Sequence, residues 1–477
     1  MTAQVFRAIA GHARHTPDRT ALRSGERLID YQALVAFLAT NAACLNGTQR
    51  VIGIASADPL EAALADLAVT YAGHVAVHLP PFFSAAQNAH IIAITGMTEI
   101  IGTLSGATAP LTLCRPEACP PHDGPLAPPV PGARRIIFTS GSSGTPKGVV
   151  IGERQMSAAL AGLTAAIEPS ASDVHLSLLP MAQLLEQVAG LYLPLLVGAQ
   201  VWFCPEALAA LFGGPMAPVL AALDQARPTT SILVPAVLAR LVASLREADR
   251  RAPDSLRLLA VGGAAVAPGL ISAALSVGLP VHEGYGLSEC CAVVALNRPG
   301  QAEPGTVGTV LDGVTLRIDK GEIVVSGPTV MEGYLGQPPV SGEWRTGDLG
   351  VIENGRLVIK GRKDWLIVTP QGRNINPEWI EGYLGGDPRI IAAGAHLGSD
   401  GQLQVVVAVT ARIDPKTIEH LLMPLPTYAR PTRVVVVPAS HDGLLKPGGG
   451  IARNQLARVS ASMPAFPLFQ TLAEYAQ

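Results

Sequence analysis

The 477-residue sequence is short of charge and of aromatic side chains: Asp, Glu, Lys and Arg make 15% of it, and Phe, Trp and Tyr 4%. Its formal charge is only -3 and no basic run occurs, so nucleic acid is not an expected partner. The six cysteines, Cys44, Cys114, Cys119, Cys204, Cys290 and Cys291, form no C-x-x-C pair. That removes the usual zinc and redox motifs and leaves Cys204, in an apolar run, as a core residue. The first fourteen residues contain no apolar h-region, so no signal peptide and a cytoplasmic location are expected. No apolar stretch runs long enough to suggest an integral membrane segment. The most apolar segment, 188–204, contains Pro194 and Gly198 and reads as a buried helix followed by a strand. What is abundant is aliphatic: 48% of residues are hydrophobic, in a chain long enough for two or three domains.

Taken in order, residues 1–50 read as helix, short strand, helix. Val51-Ile-Gly-Ile-Ala55 is a buried strand, followed by a helix over 59–72 and a strand at 75–77. This alternation predicts a parallel α/β sheet. Prolines crowd 114–131, an exposed connector. Ser231–Pro235 and Arg257–Ala264 each read as a strand ending in Pro or Gly. Residues 305–350, rich in Gly and β-branched side chains, read as short antiparallel strands in a small β subdomain. The tail from 365 reads as a compact α/β unit with strands near 403–408 and 434–437.

The chain is organised around Arg135-Ile-Ile-Phe-Thr-Ser-Gly-Ser-Ser-Gly-Thr-Pro-Lys-Gly-Val-Val-Ile151. Two apolar β-type runs flank a loop of Thr, Ser and Gly. Such a loop offers backbone N–H groups, hydroxyls and a lysine to an anion. It is not a Walker A loop, because Lys147 precedes Gly148 and no Ser or Thr follows. The stretch instead resembles the phosphate loop of the adenylate-forming superfamily: acyl-CoA synthetases, luciferases and nonribosomal adenylation domains.

Further motifs follow in that family's order. Gly262-Gly263-Ala264 is a side-chain-free surface for a flat ring or simply a tight turn. His282-Glu283-Gly284-Tyr285-Gly286-Leu287-Ser288-Glu289 resembles the family's Tyr-Gly-x-Thr-Glu motif, with Ser288 in place of threonine. On its own Glu289 is a surface carboxylate; in this company Ser288 and Glu289 are oxygen donors of the kind magnesium prefers. Arg345-Thr-Gly-Asp348 matches the ribose-binding motif. Gly361-Arg362-Lys363-Asp364-Trp365 resembles the hinge between the large and small domains; the pivot, Asp or Lys in the family, falls on Trp365, with Asp364 one place early, so either the register slips by one or the pivot here is unusual. Gly372-Arg-Asn-Ile-Asn-Pro-Glu-Trp-Ile-Glu381 resembles the thiol-tunnel loop, in the form found in long-chain acyl ligases. Leu178–Glu186 resembles the segment lining the acyl pocket of that branch, with Gln183 where a histidine is usual.

The resemblance implies an α/β fold: a large N-terminal domain, 1–363, of parallel α/β sheets plus a small β subdomain, then a small mobile α/β domain, 364–477. It implies AMP-forming activation of a carboxylic acid by ATP, followed by transfer to CoA or a carrier-protein phosphopantetheine. Thr139, Ser140, Gly141, Ser142, Ser143, Gly144, Thr145 and Lys147 would hold phosphates. Glu289 and Ser288 would hold Mg2+. Gly262, Gly263, Ala264, Glu283, Gly284, Tyr285 and Gly286 would hold adenine, Asp348 and Arg362 the ribose, and Gly372 would border the thiol. The acyl-pocket candidates beside Gln183 are Leu184, Leu185, Val188, Val234 and Val293, so a fatty or aromatic acid is expected. No pocket aspartate is found, which argues against an α-amino acid. Near the carboxyl end the family has Gly-Lys where this chain has Gly449-Gly450. Three readings follow: slow adenylation, substitution by Lys446, or a crippled first half-reaction. Two other functions also stay open, transfer of the acyl group to an amine or other acceptor, and a non-catalytic nucleotide-binding or acyl-binding relative.

Overall fold

The computed structural model describes all residues except 1, 80–82, 105–108, 123, 141–145, 212, 265, 267, 370–373, 442–443, 446–450 and 470–477. Two large sheets dominate. In the seven-stranded sheet, strands Val51–Ala55, Val75–His78, Glu99–Gly102 and Ala109–Leu111 run parallel. Arg134–Ser140 continues that direction, and Pro146–Gly152 returns antiparallel beside it. Gly333–Tyr334 then closes the edge. In the nine-stranded sheet the parallel centre comprises Thr20–Ser24, Gln200–Phe203, Val174–Ser177, Thr230–Leu233, Leu258–Val261 and Val281–Tyr285. Parallel strands buried on both faces need aliphatic runs, which is where the unusual apolar content goes.

One core joins the two sheets. It contains Ile52, Ile54, Ile137 and Val149 from one sheet, Leu22, Val201 and Leu258 from the other, and helices such as Pro59–Tyr71 and Glu153–Ile167 between them. A second core covers the far face of the nine-stranded sheet with helices Ala217–Ala226, Pro235–Glu247 and Pro268–Ser276. A four-stranded antiparallel sheet over residues 315–362 is the expected β subdomain. Beyond it a C-terminal small domain has its own core around Ile380, Val405, Ile418 and Val434.

Two local expectations change. The first fifty residues hold two strands, not one: Thr20–Ser24 and Arg27–Asp30 form a hairpin around Gly25 at φ +56°. Pro194 makes no break. A π-helical stretch, Glu186–Tyr192, runs directly into Leu193–Val197, so the proline falls in the first turn of the second segment. There its missing N–H costs little. Gly198, at φ +82°, ends the helix.

Four buried polar side chains tie the seven-stranded sheet to two of the helices packed on it. Asp66, in the helix Pro59–Tyr71, accepts from Tyr192 Oη at 2.7 Å and His78 Nε2 at 2.8 Å, with Arg135 Nη1 at 3.5 Å. Burial alone would raise the Asp66 pKa, but Arg135 and His78 pull it down to about 2. Arg135 also donates to Gln187 Oε1, whose amide donates to Met181 O. The strand that enters the Ser/Gly loop is thus anchored from beneath.

Candidate nucleotide and acyl site

The loop strands place their predicted donors face to face. Thr139 pairs across the hairpin with Lys147, and Ser140 with Pro146. Gly141, Ser142, Ser143, Gly144 and Thr145 lie outside the described residues, as do Gly372, Lys446, Gly449 and Gly450. Lys147 is exposed, with its ammonium 5.5 Å from the centre of the Tyr334 ring. Tyr334 Oη in turn donates to Glu289 Oε1 at 2.7 Å. Backbone bonds knit the same segment: Met331 N to Glu289 O, Glu332 N to Val150 O, Leu335 N to Gly148 O. Tyr334 was missed in the sequence. Its strand is two residues long, and its partner lies far upstream.

Glu289 sits on the short turn Ser288–Cys290, directly after the strand Val281–Tyr285. Gly286 in between is obligatory by contact: a Cβ there would lie 1.6 Å from Ala292 O. A single carboxylate beside a hydroxyl is a fitting protein contribution to a magnesium that takes its remaining ligands from phosphates and water.

On the other side of that strand, Tyr285 Oη donates to Asp348 Oδ2 at 2.5 Å. Arg362 Nη1 reaches Asp348 Oδ1 at 3.1 Å and Thr346 O at 2.8 Å. Asp348 and Arg362 are cross-strand neighbours. Burial and the adjacent Asp348 charge push the Tyr285 phenol well above its usual range. Among the described residues Glu283 accepts only from Gly305 N, at 3.2 Å, and burial pushes it up to about 7.

Two cavities meet at this strand end, sharing Gly263, Gly284, Tyr285 and Gly286. The larger, about 700 Å³, holds Ala264, Glu283, Asp348 and Arg362 on one side. Its other side is Trp365 and the helix Pro377–Leu384, which presents Glu378 and Trp379. Trp365 stacks under two guanidinium groups, Arg362 at 5.6 Å and Arg453 at 4.3 Å. The smaller cavity, about 290 Å³, is lined by Thr139, Gly262, Gln183, Leu184, Leu185, Ser288 and Val293 among others.

Val188 and Val234 are corrections, since neither lines that cavity. The wide π-helical turn points Leu185 and Ala189 at it and Val188 into the fully buried central core. Val234 is the extended residue before Pro235 and packs with the core on the far face of the sheet.

The arrangement is that of an α/β protein with a polar cleft and an apolar side cavity opening beside the Ser/Gly hairpin. The family model described as "AMP-binding enzyme" matches residues 9–335, and the chain belongs to that family. It is 32% identical over 336 residues to an indoleacetate–CoA ligase of Aromatoleum aromaticum, covering 63% of this chain and 62% of the relative. It is 30% identical over 306 residues to a 2-succinylbenzoate–CoA ligase of Bacillus cytotoxicus, covering 58% and 60%. The chain thus spans about three fifths of the length of these curated relatives. Among solved structures, the Bacillus subtilis o-succinylbenzoate CoA synthetase in complex with its acyl-adenylate intermediate superposes with a TM-score of 0.78 at 21% identity, over 94% of this chain and 97% of that one. An anthranilate CoA ligase does so at 0.79 and 18%, over 95% and 98%. These structures share the fold.

Proposed function

We propose that the protein is an AMP-forming acid:CoA ligase. One observation carries the reading. A single strand end, Glu283–Gly286, is flanked by Lys147, Tyr334 and Glu289 on one side and by Asp348 and Arg362 on the other, and an acid-sized apolar cavity opens at the same point. The relatives' printed activities support it.

In this reading the nucleotide lies along the 700 Å³ cavity. Asp348 accepts from the ribose hydroxyls with Arg362 beside it, and Tyr285 with Gly262 to Ala264 faces the base. Lys147 and Thr139 meet the outer phosphates. Glu289 and Ser288 would hold magnesium, which when bound would offset the negative charge of the phosphates. The acid, bound in the smaller cavity, brings its carboxylate to the α-phosphate. A carboxylate oxygen forms the new bond to phosphorus as the bond to the β-phosphate oxygen breaks, and pyrophosphate leaves. A thiol of CoA, or of a carrier-protein pantetheine, then attacks the acyl carbon and releases AMP. The chain's contribution is positioning and fixed positive charge where the leaving group gains negative charge.

The boundary at 363/364 belongs to the same proposal. The segment carrying Trp365 turns between the half-reactions and exchanges the surface offered to the nucleotide. The absent lysine at Gly450 favours a second form of the reading, in which adenylation is slow and thioester formation fast.

The test is AMP release with a panel of carboxylic acids, with and without CoA. CoA-dependent AMP release supports the ligase, and CoA-independent turnover with an amine replaces it with an amide-forming activity. At least tenfold faster pyrophosphate exchange in Gly450→Lys, about 1.4 kcal/mol of barrier, supports the slow first step. An unchanged rate removes it.

A further inference from the structure

The 290 Å³ cavity runs alongside the strand Leu258–Val261, from Val261 and Tyr285 at its mouth to Leu258 at its closed end. Three residue steps along a strand place that floor ~10 Å below the mouth. Leu163, Ile167 and Leu258 line that end. So does a pair of polar side chains in cross-strand register, His175 and Thr230.

These two are not ordinary core residues. His175 is 2% exposed and Thr230 8%. His175 Nδ1 lies 3.0 Å from Thr230 Oγ1. Its Nε2 points at Glu186 Oε1 from 3.6 Å, too long for a hydrogen bond. Among the described residues, His175 Nε2 and both oxygens of the wholly buried Glu186 have no hydrogen-bond partner. Gly190 makes room for the pair: a Cβ there would lie 2.5 Å from Glu186 Oε1 and 3.0 Å from His175 Nε2. Glu186 also opens the π-helical stretch, a distortion often found at functional sites.

A brace between strand and helix would close these bonds. Here a line of polar groups, Glu186 to His175 to Thr230, ends at a hydroxyl on the floor of an apolar cavity. A threonine hydroxyl has one hydrogen and two lone pairs, and His175 uses one of these functions. Both side chains line the cavity, and among the described residues no Lys or Arg does.

From this we infer that the acid taken by this cavity carries a neutral hydroxyl group, alcohol or phenol, at its far end, recognised by Thr230 with His175 and Glu186 holding it in place. A hydroxyl both donates and accepts, so it satisfies Thr230 in either orientation. A bare alkyl end leaves Thr230 with His175 alone, and a second carboxylate finds no Lys or Arg among the described lining residues. The inference rests on the acid-activating reading above and deepens it.

The experiment compares straight-chain acids of about six to ten carbons, matched to the ~10 Å depth, ending in methyl, hydroxyl or carboxylate. Pyrophosphate exchange gives kcat/KM, and calorimetry gives binding. The hydroxy acids are expected to lead the methyl series at least tenfold, with the dicarboxylic acids last. A site that hydrogen-bonds a hydroxyl rejects the analogue lacking it more strongly than an apolar pocket rejects a methylene. In the isosteric Thr230→Val the hydroxyl preference is expected to collapse, the hydroxy acids losing and the methyl acids gaining as the buried hydroxyl is removed. Methyl acids equal to or better than hydroxy acids, or a preference that survives Thr230→Val, overturns the inference. If no acid drives exchange, the ligase reading falls, and calorimetric ranking of the same acids still decides what the cavity prefers.

Discussion

Two regions of this molecule bury carboxylates, and they treat them in opposite ways. Between the sheets, Asp66 has Tyr192, His78 and Arg135 around it, and its pKa falls to about 2. Around the 700 Å³ cavity, Glu283 has one backbone donor, and Glu378 is pressed by burial and by the neighbouring Glu381. Both rise to about 7. The chain had donors enough to satisfy an acid fully where nothing else has to fit. It left acids under-satisfied where a ligand has to enter. A paired buried charge is architecture, and an under-paired one facing a cavity marks a place kept open for something else.

The contrast breaks most visibly at Arg135. Arg135→Met leaves Asp66 buried without its cation and is expected to destabilise the fold by about 3–5 kcal/mol in denaturant unfolding. Asp66 contributes stability above its ordinary pKa near 3.8 and loses it as pH falls through about 2. Without Arg135, burial pushes the Asp66 carboxyl up, so the deficit should be largest near neutral pH and shrink as the pH falls and Asp66 takes up a proton. A deficit that does not change with pH would mean that the network is not the anchor described.

Glu283→Gln tests the other side with the opposite sign. The raised group contributes stability that is complete below 4.5 and lost as pH rises through about 7. A neutral isostere removes that loss. The variant should match the parent near pH 4 and exceed it near pH 8, by on the order of 3 kcal/mol. Parallel stability curves would show that the burial of Glu283 is without electrostatic consequence.

Asp348→Ala asks whether the open region serves a nucleotide. AMP affinity should fall by about 1.5–3 kcal/mol in calorimetry, the loss of a charged acceptor. Tyr334→Phe is the smallest change. Losing its bond to Glu289 is expected to cost about 1 kcal/mol, read as roughly fivefold slower turnover at limiting magnesium and little change at saturation.

Much of the fold was legible. The strands at 51–55, 75–78, 200–203, 230–233 and 258–261 are short, largely apolar runs that end at or just before Gly, Pro or Ser, and local pattern alone marks them. Glycine and carboxylate motifs on strand ends were legible for the same reason, because each is contiguous in sequence. What stayed hidden depends on contacts between distant segments. Tyr334 matters because residues 333–334 pair with 149–150. His175 and Glu186 meet across a strand and a π-helical turn whose spacing no α-helical or β period predicts. Val188 was misplaced for that reason: an α-helical step puts it beside Leu184 and Leu185, and the wider turn rotates it into the core.

The two-residue strand Gly333–Tyr334 also bears on how the protein is made. It covers the outer edge of Pro146–Gly152, which otherwise ends the seven-stranded sheet. The covering residues leave the ribosome roughly 180 residues after that edge, a delay of ~10–40 s at ordinary rates of synthesis. During that interval the hairpin is complete while its flank, Val149 and Val150 included, has bare backbone donors and acceptors. Exposed strand edges of that kind recruit other chains. The nascent protein therefore passes through a window of vulnerability that closes only when Tyr334 arrives, and chaperone demand during expression should concentrate there.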